Sequence, residues 1–107
     1  RRTVEHFRES GGILSSDRVY RTIVRLEIEN LNADSRNISV LERVPVSETE
    51  QVKVEILSQT TANYKEDPPK SGVLKWDINP GAGQKTSIVL AYSVRVPATY
   101  PGEVLGD

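Results

Sequence analysis

Apolar residues recur at every second position along most of the chain, and the longest run of this alternation lies between Gly72 and Pro97. Leu74, Trp76 and Ile78 fall on one face, with Lys75 and Asp77 on the other. After the short loop Asn79 to Gly83, the residues Thr86, Ile88, Leu90, Tyr92, Val94 and Val96 keep the same period. Successive strand side chains point to opposite sides, so each run reads as a half-buried strand, and two such runs around a Pro-Gly loop predict a β-hairpin. A second clear strand covers Val19 to Asn30, with Tyr20, Thr22, Val24, Leu26 and Ile28 on the apolar face and Arg21, Arg25, Glu27 and Glu29 on the solvent face. The turn formers of Asn30 to Arg36 then predict a hairpin into Asn37 to Val44. There Ile38, Val40 and Val44 face inward, but Glu42 falls on the same face and needs a partner, a bulge or an exposed edge.

Pro45 ends that strand. From Glu50 to Leu57, Val52, Val54 and Ile56 alternate with polar residues. Ser47 and Glu50 have the spacing of a helix capping box, but β-branched residues spaced by two are the better signal, so this too reads as a strand. Arg1 to Arg8 alternates weakly and is assigned as an edge strand. Ser58 to Ser71, with Pro68 and Pro69, is expected to be a long mobile loop, and Ala98 to Asp107 a patternless tail. Five strands, a sixth at the N-terminus and no helical period predict an all-β fold: an antiparallel β-sandwich, immunoglobulin-like in architecture, with about six to seven strands. Trp76 and Tyr92 are expected in the interface between the sheets. The 107 residues fit one domain, with residues 1–97 as the core and 98–107 as the tail, and the Arg1 start suggests a fragment of a longer protein.

Charge and composition narrow the chemistry. Lysine and arginine number 14 against 15 acids, which gives a net charge of −1 and no basic run, so a nucleic-acid partner is not expected. The absence of cysteine removes disulfides, thiolate catalysis and cysteine-ligated metal. No apolar stretch approaches the roughly 20 residues of a membrane helix, so membrane insertion is not expected.

Candidate chemical groups are few. His6 is the only histidine and has no evident partner, which makes a solvent-facing residue on an edge strand the better reading. Glu42, Glu48 and Glu50 contain acids enough for a glycosidase pair, but their spacing is unspecific. Asn30, Asn32 and Asp34 alternate oxygen ligands as a calcium loop does. Ser35 and Leu41, however, stand where such a loop needs glycine and glutamate, so these residues read as a turn. Asn37, Ile38 and Ser39 form a glycosylation sequon, and Gly81 and Gly83 serve turn geometry.

The segment Val44, Pro45, Val46, Ser47, followed by Glu48, Glu50, Val52, Val54 and Ile56, resembles a recurring P-V-S-x-x-E-x-I-x-V stretch. That stretch belongs to a domain of unknown function at the C-terminal end of mucoidy-inhibitor-like proteins. Asn30, Glu42, Gly72, Trp76, Pro80, Gly81, Tyr92, Val94 and Pro97 fit the same family, with Glu42 where an Asp is expected and a shortened proline-rich loop. The resemblance implies a β-sandwich preceded by an N-terminal domain and a coiled-coil-like segment, and an association with exopolysaccharide that leans towards the bacterial cell envelope. It implies no catalytic residue.

These readings lead to a noncatalytic module with no cofactor and no metal, working as a scaffold or docking domain. Its partners are other domains of the same chain or another protein, reached through an exposed sheet face, an edge strand or the Ser58 to Ser71 loop. A carbohydrate-binding module of the envelope is the first alternative, with polysaccharide as ligand and Tyr64 and Tyr100 as the exposed aromatics. The second is part of an enzyme whose chemistry lies in another domain. Tyr64, Tyr100, Glu48 and Glu50 form the expected interaction surface. An unprotected edge strand would also permit self-association.

Overall fold

A computed structural model describes residues 1–10 and 17–98. Seven strands follow in order: β1 (Arg2–Ser10), β2 (Arg18–Glu29), β3 (Ile38–Arg43), β4 (Lys53–Ile56), β5 (Lys65–Glu66), β6 (Val73–Ile78) and β7 (Lys85–Val96). No helix occurs among the described residues. The strands form two antiparallel sheets, ordered β1-β2-β7-β4 and β3-β6-β5. Constant-type immunoglobulin sheets run 1-2-5-4 and 3-6-7, so this chain exchanges the fifth and seventh places.

The alternating faces lie where the sequence puts them. Leu74 and Trp76 of β6 meet Val24, Ile88, Leu90, Tyr92, Val94 and Val96 of the larger sheet in one buried cluster, closed at one end by Val52. The neighbours, however, differ from expectation. β6 and β7 do not form a hairpin: β6 pairs with β3 and β5, while β7 pairs with β2 and β4. β2 and β3 are likewise split between the sheets rather than paired. The reason is physical. Period-two alternation fixes which face of a strand is apolar, and that face is the same whether the next strand lies alongside it or across the core.

Asn30 holds the two crossing loops together. It is 2% exposed, and its side-chain amide donates to the carbonyls of Asp34, Pro80 and Gly81 at 2.9, 3.0 and 3.1 Å. Its Oδ1 accepts from the backbone and side-chain nitrogens of Asn32, and its own backbone exchanges hydrogen bonds with Gln84 and Gly83. A polar side chain buried this deeply stays favourable only when its donors and acceptors are met, and here both ends of the amide are. The loop after β2 is thereby fixed to the loop between β6 and β7, and both strands are directed across the core.

The stretch 58–71 is not the free loop that its composition suggested. It carries β5, and its first half continues the β7 edge beyond β4. Leu57 N and Thr60 Oγ1 both donate to Ala91 O, Ala91 N donates to Thr60 Oγ1, Thr61 N donates to Val89 O, and Val89 N donates to Thr61 Oγ1. Trp76 Nε1 donates to Thr61 O at 2.9 Å, which satisfies the one polar atom of the buried indole. Two threonines, Thr60 through a hydroxyl that both donates and accepts and Thr61 through its backbone N–H and an accepting hydroxyl, thus replace a strand where regular pairing stops.

Gly72 closes the other end, where Val44 N donates to Gly72 O at 2.8 Å. Its φ is +76°, and an added Cβ would stand 2.6 Å from Val44 O and 2.7 Å from Val46 Cγ2. Gly83 also has a positive φ, +71°, but open space around it. Gly72→Ala is therefore expected to destabilise the domain by about 3 kcal/mol and Gly83→Ala by about 1 kcal/mol, because both incur left-handed strain and only the first adds a backbone clash. Urea unfolding of the two variants checks this, and equal losses would count against it.

Candidate functional site

Glu42 falls on the inner face of β3, and the structure supplies its partner. Arg2 of β1 reaches across from the other sheet, with Nε 2.8 Å from Glu42 Oε1 and Nη2 3.3 Å from Oε2. The arrangement is the two-pronged guanidinium–carboxylate pairing that fixes orientation as well as charge. The Glu42 side chain is 10% exposed and that of Arg2 is 52% exposed, so the pair sits at the mouth of the gap between the sheets. Beside it lies a cavity of about 260 Å³, bordered by both residues together with Val24, Arg43, Val73 and Tyr92. Arg2 was not identified from sequence as the partner of Glu42. The misplaced Glu42 was a signal, but it left a partner, a bulge or an exposed edge equally open.

The other acids of the proposed carboxylate group do not join it. Glu48 and Glu50 are exposed in the segment before β4, where Ser47 and Thr49 make a hydroxyl-stabilised turn rather than a helix cap. His6 is an exposed residue of edge strand β1, and its Nδ1 lies 3.1 Å from Thr22 Oγ1. Among the described residues no three His, Cys, Asp or Glu side chains gather to hold a metal, and no helix is long and apolar enough to cross a membrane.

Tyr64 is half-buried, with its ring centroid 5.8 Å from that of Trp76 at a 57° tilt, so the ring packs against the core. Tyr100 lies outside the described residues. Asn32 and Asp34 are exposed, and with Asn30 committed to the loop carbonyls the Asn30–Asp34 stretch is a turn. Asn37 is exposed and accepts from Asn79 Nδ2.

What remains at the surface is edge strand β1. Its nine residues pair with β2 in unbroken register, with no proline, glycine or bulge. Arg1 and Glu27 exchange both backbone hydrogen bonds at 2.9 Å, so the odd-numbered residues of β1 bond to β2 and the N–H and C=O groups of Val4, His6 and Arg8 point the other way. No strand lies on that side among the described residues. The charged side chains of β1 are held within their own sandwich: Arg2 by Glu42, Glu5 by Arg25 at 3.2 Å and Glu9 by Arg21 at 3.3 Å, with the Arg8 guanidinium 5.9 Å from the Tyr20 ring centroid.

Fold and surface together define an all-β domain of two antiparallel sheets with one long open edge. Residues 1–98 match the family described as "Domain of unknown function (DUF4139)", and the chain belongs to that family. No curated protein and no solved structure matches the chain.

Because Glu42 is mostly withdrawn from water and Arg2 is not, loss of the arginine leaves a carboxylate poorly solvated. Arg2→Ala is expected to destabilise by about 1 to 2 kcal/mol, and Arg2→Ala combined with Glu42→Ala by less than the sum of the two single changes. A double-mutant cycle in urea measures the coupling, and a value near zero would show the contact to be incidental.

Proposed function

We propose that this domain is a noncatalytic docking module of a mucoidy-inhibitor-like protein, which binds another domain of the same protein or a second protein by strand addition along β1. The carrying observation is the nine-residue edge whose Val4, His6 and Arg8 backbone groups point outward. Main-chain hydrogen bonds from an added strand supply affinity at such an edge, and the side chains alternating along it supply selectivity. The other edge strands are shorter: β4 has four residues, β5 two and β3 six.

Support for the mucoidy-inhibitor-like assignment comes from the roles its matching residues play. Gly72 makes the close approach to Val44, Trp76 and Tyr92 lie in the core, and Pro80 and Gly81 present carbonyls to Asn30. The noncatalytic reading is supported by the fates of the candidate acids: Glu42 is paired, and Glu48 and Glu50 stand apart in solvent. Docking by strand addition is preferred to glycan binding because Tyr64 is half-buried against Trp76, whereas a sugar-binding platform needs an outward aromatic face.

Amide hydrogen exchange tests the reading. In the dilute chain the Val4, His6 and Arg8 amides are expected to exchange rapidly and those of Thr3, Glu5 and Phe7 slowly. In the full-length protein the first set is expected to slow by about tenfold or more as the edge is covered. Unchanged exchange of Val4, His6 and Arg8 between the two samples would overturn it.

A further inference from the structure

We infer that the strand which β1 accepts is β1 of a second copy, laid antiparallel about a two-fold axis through His6. The inference rests on the docking role proposed for β1 and names its partner. A two-fold axis normal to the sheet keeps the inner faces of both copies on one side, so residues of equal parity oppose each other. The outward-pointing Val4, His6 and Arg8 of one copy then meet the same groups of the other.

Three registers overlap most of the strand, and charge separates them. With the axis at His6, Val4 faces Arg8, His6 faces His6, Thr3 faces Glu9 and Glu5 faces Phe7. No two side chains of like full charge are opposed. A two-residue slip one way sets Glu5 against its own copy and Arg2 against Arg8. The opposite slip sets Glu5 against Glu9. Like charges directly opposite are destabilising in a ladder, so the register that overlaps the whole strand is also the one the charges permit.

The register has a further complementarity on its outer face. Each Phe7 carries the Arg21 guanidinium 4.6 Å above its ring, so the Glu5 that would oppose Phe7 in the partner approaches a cation as well as a ring edge. Within each copy Arg2, Glu5 and Glu9 are bound to Glu42, Arg25 and Arg21, and Arg8, which stacks near the Tyr20 ring, faces the uncharged Val4 of the incoming strand. The sequence of β1, read forwards on one copy and backwards on the other, is thus its own complement.

Cysteine-free chains make the test direct. Facing residues in a hydrogen-bonded antiparallel pair have Cα atoms about 5.5 Å apart, which is the separation a disulfide favours. His6→Cys alone is therefore expected to cross-link to itself under mild oxidation. Glu5→Cys and Phe7→Cys should each cross-link about tenfold more slowly alone but readily when mixed, because only the mixture sets the two thiols opposite each other. The unmodified chain is expected to sediment as a concentration-dependent dimer. All three sites are exposed, and circular dichroism of each variant confirms that the fold is kept. A chain that sediments as a monomer overturns the inference, as does rapid self-cross-linking of Glu5→Cys or Phe7→Cys, each of which marks a slipped register. If Val4, His6 and Arg8 are protected in the full-length protein while the chain remains monomeric, the docking reading stands and the self-pairing falls.

Discussion

The structure depends on the burial of one alternating face from each sheet against the other, centred on Trp76, Tyr92, Leu74 and Leu90. Apolar burial is non-directional, so by itself it would tolerate several strand orders. What fixes this order is a small number of polar contacts at the ends of the core. Asn30 ties together the two loops that cross between the sheets, the one from β2 to β3 and the one from β6 to β7. Thr60 and Thr61 finish the β7 edge and meet the indole nitrogen. Removing a partner from any of these would leave a buried donor or acceptor unmet, a penalty of roughly 1 to 3 kcal/mol each in a domain whose whole stability is of order 5 to 15.

The same economy explains the quiet surface. Groups that could have carried chemistry are bound to structural partners: Glu42 to Arg2, His6 to Thr22, and the Asn30 amide to three carbonyls. The outer face of the larger sheet is laced by Arg25 with Glu5 and Arg21 with Glu9, exposed pairs that each contribute little to stability but keep the charges of β1 close to their own sheet. A long edge strand normally guards itself with proline, bulges or unmatched charge. β1 has regular pairing, with Arg2, Glu5 and Glu9 each ion-paired inside the domain, and it is this combination that the proposed docking role rests on.

Much of this was legible in the chain. The strand faces of β2, β6 and β7 followed directly from the period of two, as did the core positions of Trp76 and Tyr92 and the edge position of β1. Strand partners did not, because the alternation in Leu74 to Ile78 and Ile88 to Val96 is the same for a hairpin and for a crossing between sheets. Glu42 stood out on an inner face, but a partner, a bulge and an exposed edge were equally open, since Arg2 is 40 residues away in sequence. The Ser58 to Ser71 stretch misled because its apolar content is low, while its order comes from threonine hydroxyls bonded to backbone, which no hydropathy pattern records. Asn30 looked like a turn former and is one, but its burial becomes apparent only when the second loop is folded against it.

The account rests on β6 and β7 lying in different sheets and on the odd-numbered residues of β1 bonding to β2. Cross-strand Hα–Hα nuclear Overhauser contacts report both at once, since they are strongest between facing residues that do not exchange hydrogen bonds. The predicted contacts are Val4 with Val24, His6 with Thr22, Ile23 with Ala91 and Leu41 with Lys75, with none joining residues 73–78 to 85–96. A ladder of contacts between those two segments, or between Thr3 and Arg25 and between Glu5 and Ile23, would contradict the fold and the open edge drawn from it.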